Sequence, residues 1–269
     1  MPWAKVKPRR RLRAHGAVSS LRAVAATPSR VVVVADAHLG QAPASVRSAF
    51  HGFLSAVPDL GDALLIDGDL FDFWFEYASV IPRRSFASVA KLLALRERNI
   101  PITLIGGNHD RWGGEFLTQD LGIAFYGGQA ELDVAGRRAF VAHGDGVAEQ
   151  HWAAALMHRV TRHRMTISAF RALHPDLGFW IADRLSGRLA DNTRDPRVLD
   201  RAAAAQAEYA RTLLARRPEL ELVILAHTHR PALEQLADGR AYLNPGAWVE
   251  GFHYAVVTRS GIELRTFTP

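Results

Sequence analysis

Apolar residues along this chain fall into two regimes. In the first they are consecutive: Val31-Val32-Val33-Val34-Ala35, Ala63-Leu64-Leu65-Ile66, Pro101-Ile102-Thr103-Leu104-Ile105 and Leu222-Val223-Ile224-Leu225-Ala226. Short apolar runs bounded by turn residues read as strands buried on both faces, the habit of parallel sheets. In the second regime Val46, Ala49, Phe50, Phe53, Leu54 and Val57 recur at helical spacing, which predicts a helix over 45–57 stopped by Pro58. A second helix is predicted over about 85–98. Strands separated by helices imply an α/β fold. From Leu121 to Ala142 short strands alternate with glycine turns, including a hairpin at Val134-Ala135-Gly136-Arg137. Residues 146–217 read as a long helical excursion without a strand. Strands near 231–236, 240–243, 253–258 and 262–267 are expected to complete a second sheet. Residues 1–30 have no sustained period.

Each long apolar run ends in polar residues, and the polar residues are of one kind. The blocks are Asp36-Ala37-His38, Gly68-Asp69-Leu70-Phe71-Asp72, Gly107-Asn108-His109-Asp110, His143-Gly144-Asp145 and His227-Thr228-His229. In open α/β sheets the carboxyl ends of the strands are where ligands bind. A single GDxxD sequence reads more readily as a turn with a capping carboxylate. Five such blocks in succession point to a site.

The donors are oxygen and imidazole nitrogen only. That set suits manganese, iron or zinc and argues against copper(I) or an iron–sulfur centre. Asp69 can give one oxygen to each of two cations, Asn108 supplies a neutral carbonyl, and His143 and His227 supply imidazoles, with His229 on the same side of its strand as His227. Two such cations lie about 3.5–4 Å apart, share a hydroxide and clamp an in-line displacement at phosphorus. His109 is placed to protonate the leaving group, with Asp110 expected to orient it.

Composition narrows the setting. The chain has 269 residues and no cysteine, which excludes disulfides, thiolate metal sites and cysteine nucleophiles. No stretch reaches the 18 or so apolar residues of a membrane span, and no signal-peptide apolar region appears near the start, so a cytoplasmic location is expected. The net charge is +6. Residues 1–30 carry eight cations (Lys5, Lys7, Arg9, Arg10, Arg11, Arg13, Arg22, Arg30) and no acid, so the remainder is near neutral. The basic character thus belongs to a tail, read as disordered, that can attach weakly to anionic lipid. No specific nucleic-acid binding is expected.

Together the five blocks resemble the signature of the calcineurin-like metallophosphoesterases over roughly residues 31–267. The resemblance implies a four-layer α/β/β/α sandwich carrying a helical cap at about 146–217. It implies two divalent metal ions, manganese foremost with iron or zinc possible. One would be held by Asp36, His38, Asp69 and His229, the other by Asp69, Asn108, His143 and His227. Asp72 and Asp145 fall on positions that would orient ligand imidazoles, and Asn244-Pro245-Gly246 matches a turn common in the family.

A narrower resemblance, to the UDP-2,3-diacylglucosamine pyrophosphatases of lipid A synthesis, rests on Phe71-Asp72-Phe73-Trp74, His227-x-His229-Arg230-Pro231 and the excursion around Phe170–Gly178. It implies a nucleotide-lipid substrate cleaved to UMP and a diacylglucosamine 1-phosphate. Two positions depart from that group: His109 stands where its best-known members have Arg, and His151 where an acid is expected.

The excursion holds twelve arginines and no lysine between Gly144 and Pro218. Arginine forks suit phosphate. Its apolar residues, with Trp152 and Phe179 foremost, are expected to frame an acyl-chain chamber, with Arg184, Arg188 and Arg194 toward a sugar phosphate and a peripheral membrane contact shared with the basic tail. A general phosphodiesterase or phosphatase acting on soluble substrates is the alternative. A scaffold without catalysis would be expected to have degraded ligands, and all seven positions are intact.

Overall fold

The apolar runs become strands in two facing sheets. A computed structural model describes residues 27–40, 42–77, 79–147, 161, 163–190 and 196–269, apart from the side chains at 164, 183 and 185–190. The first sheet contains β1 (Arg30–Val34), β2 (Ala63–Asp67), β3 (Ile102–Ile105), β4 (Ala124–Tyr126), β10 (His253–Thr258) and β11 (Ile262–Thr266), in the order β11-β10-β1-β2-β3-β4. The second contains β5 (Gln129–Val134), β6 (Arg137–Ala142), β7 (Leu222–Leu225), β8 (Ala232–Gln235) and β9 (Ala241–Asn244), in the order β5-β6-β7-β9-β8. β1 to β4 run parallel, as do β6, β7 and β9.

The alternation of the pleat assigns each apolar run to two cores. Val31, Val33 and Leu65 meet Val141, Leu222 and Ile224 between the sheets. Val32, Val34, Leu64 and Ile66 face outward onto Phe50, Phe53, Leu54 and Leu92 of helices α1 (Ala44–Leu60) and α2 (Phe86–Glu97). On the far side, Phe140, Val223 and Leu225 pack against Ala207, Ala210 and Leu214 of the helix Pro196–Arg216. The layers are therefore α/β/β/α, as the resemblance implied.

Two expectations are corrected. The hairpin β10–β11 joins the first sheet, where β10 pairs antiparallel with β1 (Val32 opposite Val256). Its alternation is compatible with this: Tyr254 and Val256 belong to the helix-facing core and Ala255 and Val257 to the core between the sheets. Helix α1 also runs past Pro58 to Leu60. A proline in the last turn removes a single hydrogen bond, and the Gly61 N–H closes the end on the Val57 carbonyl at 2.9 Å.

Within the excursion, helices α3 (Arg164–Arg171), α4 (Pro175–Ala190) and α5 (Pro196–Arg216) are described. α3 and α4 reach the body through aromatic rings. Phe170 packs on Phe73, Phe75 and Trp112, and Phe179 packs on Phe73 and Tyr77. Gly178 permits that approach, since a Cβ there would collide with the Tyr77 hydroxyl. A four-residue helix, α6 (Trp248–Gly251), then places Trp248 among Phe50, Phe53 and Phe267.

Candidate metal centre

Because the parallel strands of both sheets end at the same edge, the loops after β1, β2, β3, β6 and β7 converge. Backbone bonds knit the first two: the Asp36 N–H donates to the Gly68 carbonyl at 3.1 Å and the His38 N–H to the Asp69 carbonyl at 2.9 Å. The second sheet is tied in by the His227 N–H, which donates to Asp36 Oδ2 at 3.1 Å. The His109 N–H donates to Asp69 Oδ1 at 3.0 Å, setting the loop that carries Asn108 against the central carboxylate.

Two groups of candidate ligands result. The donor atoms of Asp36, His38 and His229 lie within 4.8 Å of one another, and so do those of Asp69, His143 and His227. A third set, His38, Asp69 and His109, overlaps both. His143 Nε2 lies 3.2 Å from Asp69 Oδ2 and 3.8 Å from Asp36 Oδ1, so the two groups share one centre. Asn108 is exposed at the rim.

Two of the rings are held from behind by hydrogen bonds, and a third faces a carboxylate. His143 Nδ1 bonds the Asp67 carbonyl at 2.8 Å, His229 Nδ1 bonds Glu250 at 2.7 Å, and His38 Nδ1 stands 3.9 Å from Asp72 Oδ1. In each case Nε2 turns inward toward Asp36 or Asp69. A carbonyl or carboxylate behind a ligand imidazole fixes its tautomer and raises its basicity.

The backbone is strained at the same residues. Asp36, His38, Asp69, His227 and His229 all have φ between 45° and 69°. Non-glycine residues there cost on the order of 1–3 kcal/mol each, and such outliers gather at functional sites. Gly68 and Gly107 are required for a different reason: a Cβ would strike the His143 ring in the first case and the Asp69 carboxylate in the second.

Electrostatics set the demand for cations. Asp36, Asp67 and Asp69 are buried together. Burial alone would raise the Asp36 and Asp69 carboxyls, but the surrounding imidazoles outweigh it and lower both. The reciprocal effect holds protons on His143, raised well above its ordinary value, and on His229, pushed up to about 10 by Asp36 and Glu250 against the cost of burial. Burial pulls His38 down to about 4 and lowers His227. Asp36 Oδ1 and His143 Nε2 are buried without a hydrogen-bond partner although they face the shared centre. Orphaned donors of this type, in an oxygen-and-imidazole set, fit divalent metal ions.

The expected role of Asp110 is corrected by geometry. Asp110 does not orient His109. Its carboxylate accepts backbone N–H groups of Leu70 at 2.7 Å and Gly107 at 2.8 Å, with Asp69 at 3.3 Å and Phe71 at 3.4 Å, and so binds two metal-site loops together. The His109 ring is held instead by the Asp72 carbonyl, 2.5 Å from Nδ1. Asp145 pairs with the buried Arg111, joining the third and fourth loops.

Of the expected cap residues, Phe179 sits at the seam between cap and body, whereas Arg184 stacks its guanidinium 4.7 Å from the exposed Trp180 ring. Trp152, His151 and Arg194, and the side chain of Arg188, lie outside the described residues. Sequence reasoning missed Asp67, Arg111 and Glu250. Asp67 lies beside the Gly68-Asp69 block and could have been suspected; no spacing marks Glu250 or Arg111.

Residues 29–231 match the sequence profile of the calcineurin-like phosphoesterases. The chain is 26% identical over 248 residues to a UDP-2,3-diacylglucosamine hydrolase of Porphyromonas gingivalis, covering 85% of this chain and 94% of that protein. It is 30% identical over 240 residues to one of Sodalis glossinidius, covering 87% and 97%. Among solved structures, an archaeal phosphodiesterase aligns with 12% identity and a TM-score of 0.44, covering 88% of this chain and 97% of that one.

Asp69→Ala removes the carboxylate that both ligand groups face. It is expected to lose at least one bound metal per chain by elemental analysis while far-UV circular dichroism stays native; two retained metals would refute the bridging role. Metal uptake by chelator-treated protein must also displace the protons held on His143 and His229. Affinity should therefore rise with pH up to about 10, where His229 gives up its proton, with proton release measurable in weak buffer.

Proposed function

The chain belongs to the calcineurin-like phosphoesterase family, and from that membership we propose that it hydrolyses UDP-2,3-diacylglucosamine to UMP and 2,3-diacylglucosamine 1-phosphate using two divalent cations, manganese foremost. The observation that carries the two-cation reading is the meeting of the Asp36, His38, His229 group with the Asp69, His143, His227 group at one buried centre. The substrate is supported by the relatives named for it, which align over most of both chains.

In this reading Asp36, His38, Asp69 and His229 hold one cation, and Asp69, Asn108, His143 and His227 the other. Two such cations, when bound, supply Lewis acidity and an activated water at phosphorus. The protein's own groups do the rest. Asp67, Asp72 and Glu250 fix the ligand rings from behind, and Asp110 and Arg111 keep the loops in register.

His109 supplies the proton. The Asp72 carbonyl can only accept, so Nδ1 carries a hydrogen and Nε2 is the atom turned to the site, 3.9 Å from Asp69 Oδ2. Burial works against the charged ring, but Asp69 and the Asp72 carbonyl outweigh it and raise the pKa, favouring the form that can donate to a leaving oxygen.

Among the described residues no helix is long and apolar enough to cross a membrane. Contact with a lipid surface at the cytoplasmic face of the inner membrane fits the exposed Met165, Leu177 and Trp180 on the cap. A general phosphodiesterase is the second reading. It is favoured by His109, which stands where the best-known members of the narrower enzyme group have Arg.

Incubation with UDP-2,3-diacylglucosamine and with bis(p-nitrophenyl) phosphate, each with manganese, separates the two. Release of UMP from the lipid substrate is the expected result; turnover of the diester alone would establish the second reading. His109→Ala should retain its metals and lose about 10²–10⁴-fold in turnover. That deficit should shrink for leaving groups that are weak bases, and an equal deficit for good and poor leaving groups would show that His109 is not the acid.

A further inference from the structure

Where α4 meets the body, a cleft of about 390 Å³ is lined by Pro82, Arg83, Arg84 and Phe179. Arg83 and Arg84 open a 3₁₀ turn, Arg83–Ser85, that leads into α2 and is fixed by the Ser85 N–H on the Pro82 carbonyl at 3.0 Å. The Arg84 guanidinium carbon lies 5.7 Å from the centre of the Phe179 ring. Its arm also runs toward the side of the metal centre. A Cβ on Gly40 would stand 3.6 Å from Arg84 Nε and 3.4 Å from Asp72 Oδ2, so both residues flank the same glycine. Asp72 Oδ1 in turn lies 3.9 Å from Nδ1 of the candidate ligand His38. Arg84, which lines the cleft, is thus linked through Gly40 and Asp72 to His38, while Phe179 brings in the cap.

Its lining combines two guanidinium groups with a proline and a phenyl ring. Guanidinium forks match phosphate oxygens, and a wall of Phe179 and Pro82 favours a ligand whose anion is joined to something apolar. We propose that Arg83, Arg84, Phe179 and Pro82 form a subsite for a phosphate bearing an apolar substituent, the part of the substrate that leaves the reacting phosphorus. This assignment rests on the phosphoesterase reading above. It adds two binding residues on the body that lie outside the metal-ligand blocks and outside the cap.

The probe is n-octyl phosphate, below its micellar concentration, titrated calorimetrically into the full chain with and without chelator, alongside inorganic phosphate. The wild type should bind octyl phosphate more tightly than inorganic phosphate in chelator. Arg83→Ala and Arg84→Gln should each weaken octyl phosphate by about 10-fold or more, the usual worth of a hydrogen bond to a charged group, and Arg84→Lys should recover only part of it. Arg83 is exposed, so Arg83→Ala keeps the test informative even if Arg84→Gln loosens the seam, which a thermal melt of each variant reports.

Equal octyl phosphate affinity in the wild type and the Arg83→Ala/Arg84→Gln double variant would overturn the subsite. It would show that Arg84 serves only to join cap and body. Manganese-dependent release of UMP from UDP-2,3-diacylglucosamine and hydrolysis of bis(p-nitrophenyl) phosphate by the same wild-type preparation read the function separately. Turnover with arginine-independent binding removes the subsite alone; arginine-dependent binding without turnover of any phosphate ester removes the function and leaves the anion site standing.

Discussion

Two carboxylates buried side by side are the constraint from which the rest of this structure follows. Asp36 and Asp69 lie at the joint edge of the two sheets, away from bulk water, while burial and the neighbouring acids raise the Asp67 carboxyl well above its ordinary range. An isolated buried carboxylate would protonate, whereas one surrounded by positive charge stays ionised. The imidazoles of His143 and His229 provide that charge in part, and two dications would provide it fully. The left-handed backbone at five candidate ligands is the geometric cost of turning these groups toward one point. It is sustained because both flanking strands are buried in the two cores.

The holding contacts are mostly backbone. Asp110 clamps two loops through four N–H groups, and the carbonyls of Asp67 and Asp72 aim His143 and His109. A site assembled this way depends on where the strands stop more than on the residues surrounding it.

The sequence made the metal-site blocks legible because each strand run was almost wholly apolar and each sequel carried carboxylate, amide or imidazole side chains. The strand positions of β1, β2, β3 and β7 followed from the same contrast. Asp110 was misread because adjacency to His109 in sequence suggests adjacency of side chains, whereas the tight turn sends its carboxylate back to the amides of 69–71. Glu250 and Arg111 were invisible, since a contact across 21 or 34 residues has no local period. The sheet that takes β10 and β11 was equally hidden: both strands alternate correctly for either sheet, and only the unpaired edge of β1 decides between them.

That edge has a consequence for the order in which the molecule can be made. β1, β2 and β3 carry Asp36, His38, Asp69 and Asn108, and all leave the ribosome before the excursion does. His227 and His229 emerge last of the seven, and His229 is aimed by Glu250, which lies just ahead of β10. The helix-facing core around Phe53 and Trp248 likewise stays open until β10 docks beside β1. At synthesis rates of about 5–20 residues per second, the nascent chain spends several seconds with the early carboxylates assembled and the late imidazoles absent. A metal site drawing on all seven positions would therefore be complete only after the chain through His229 has emerged.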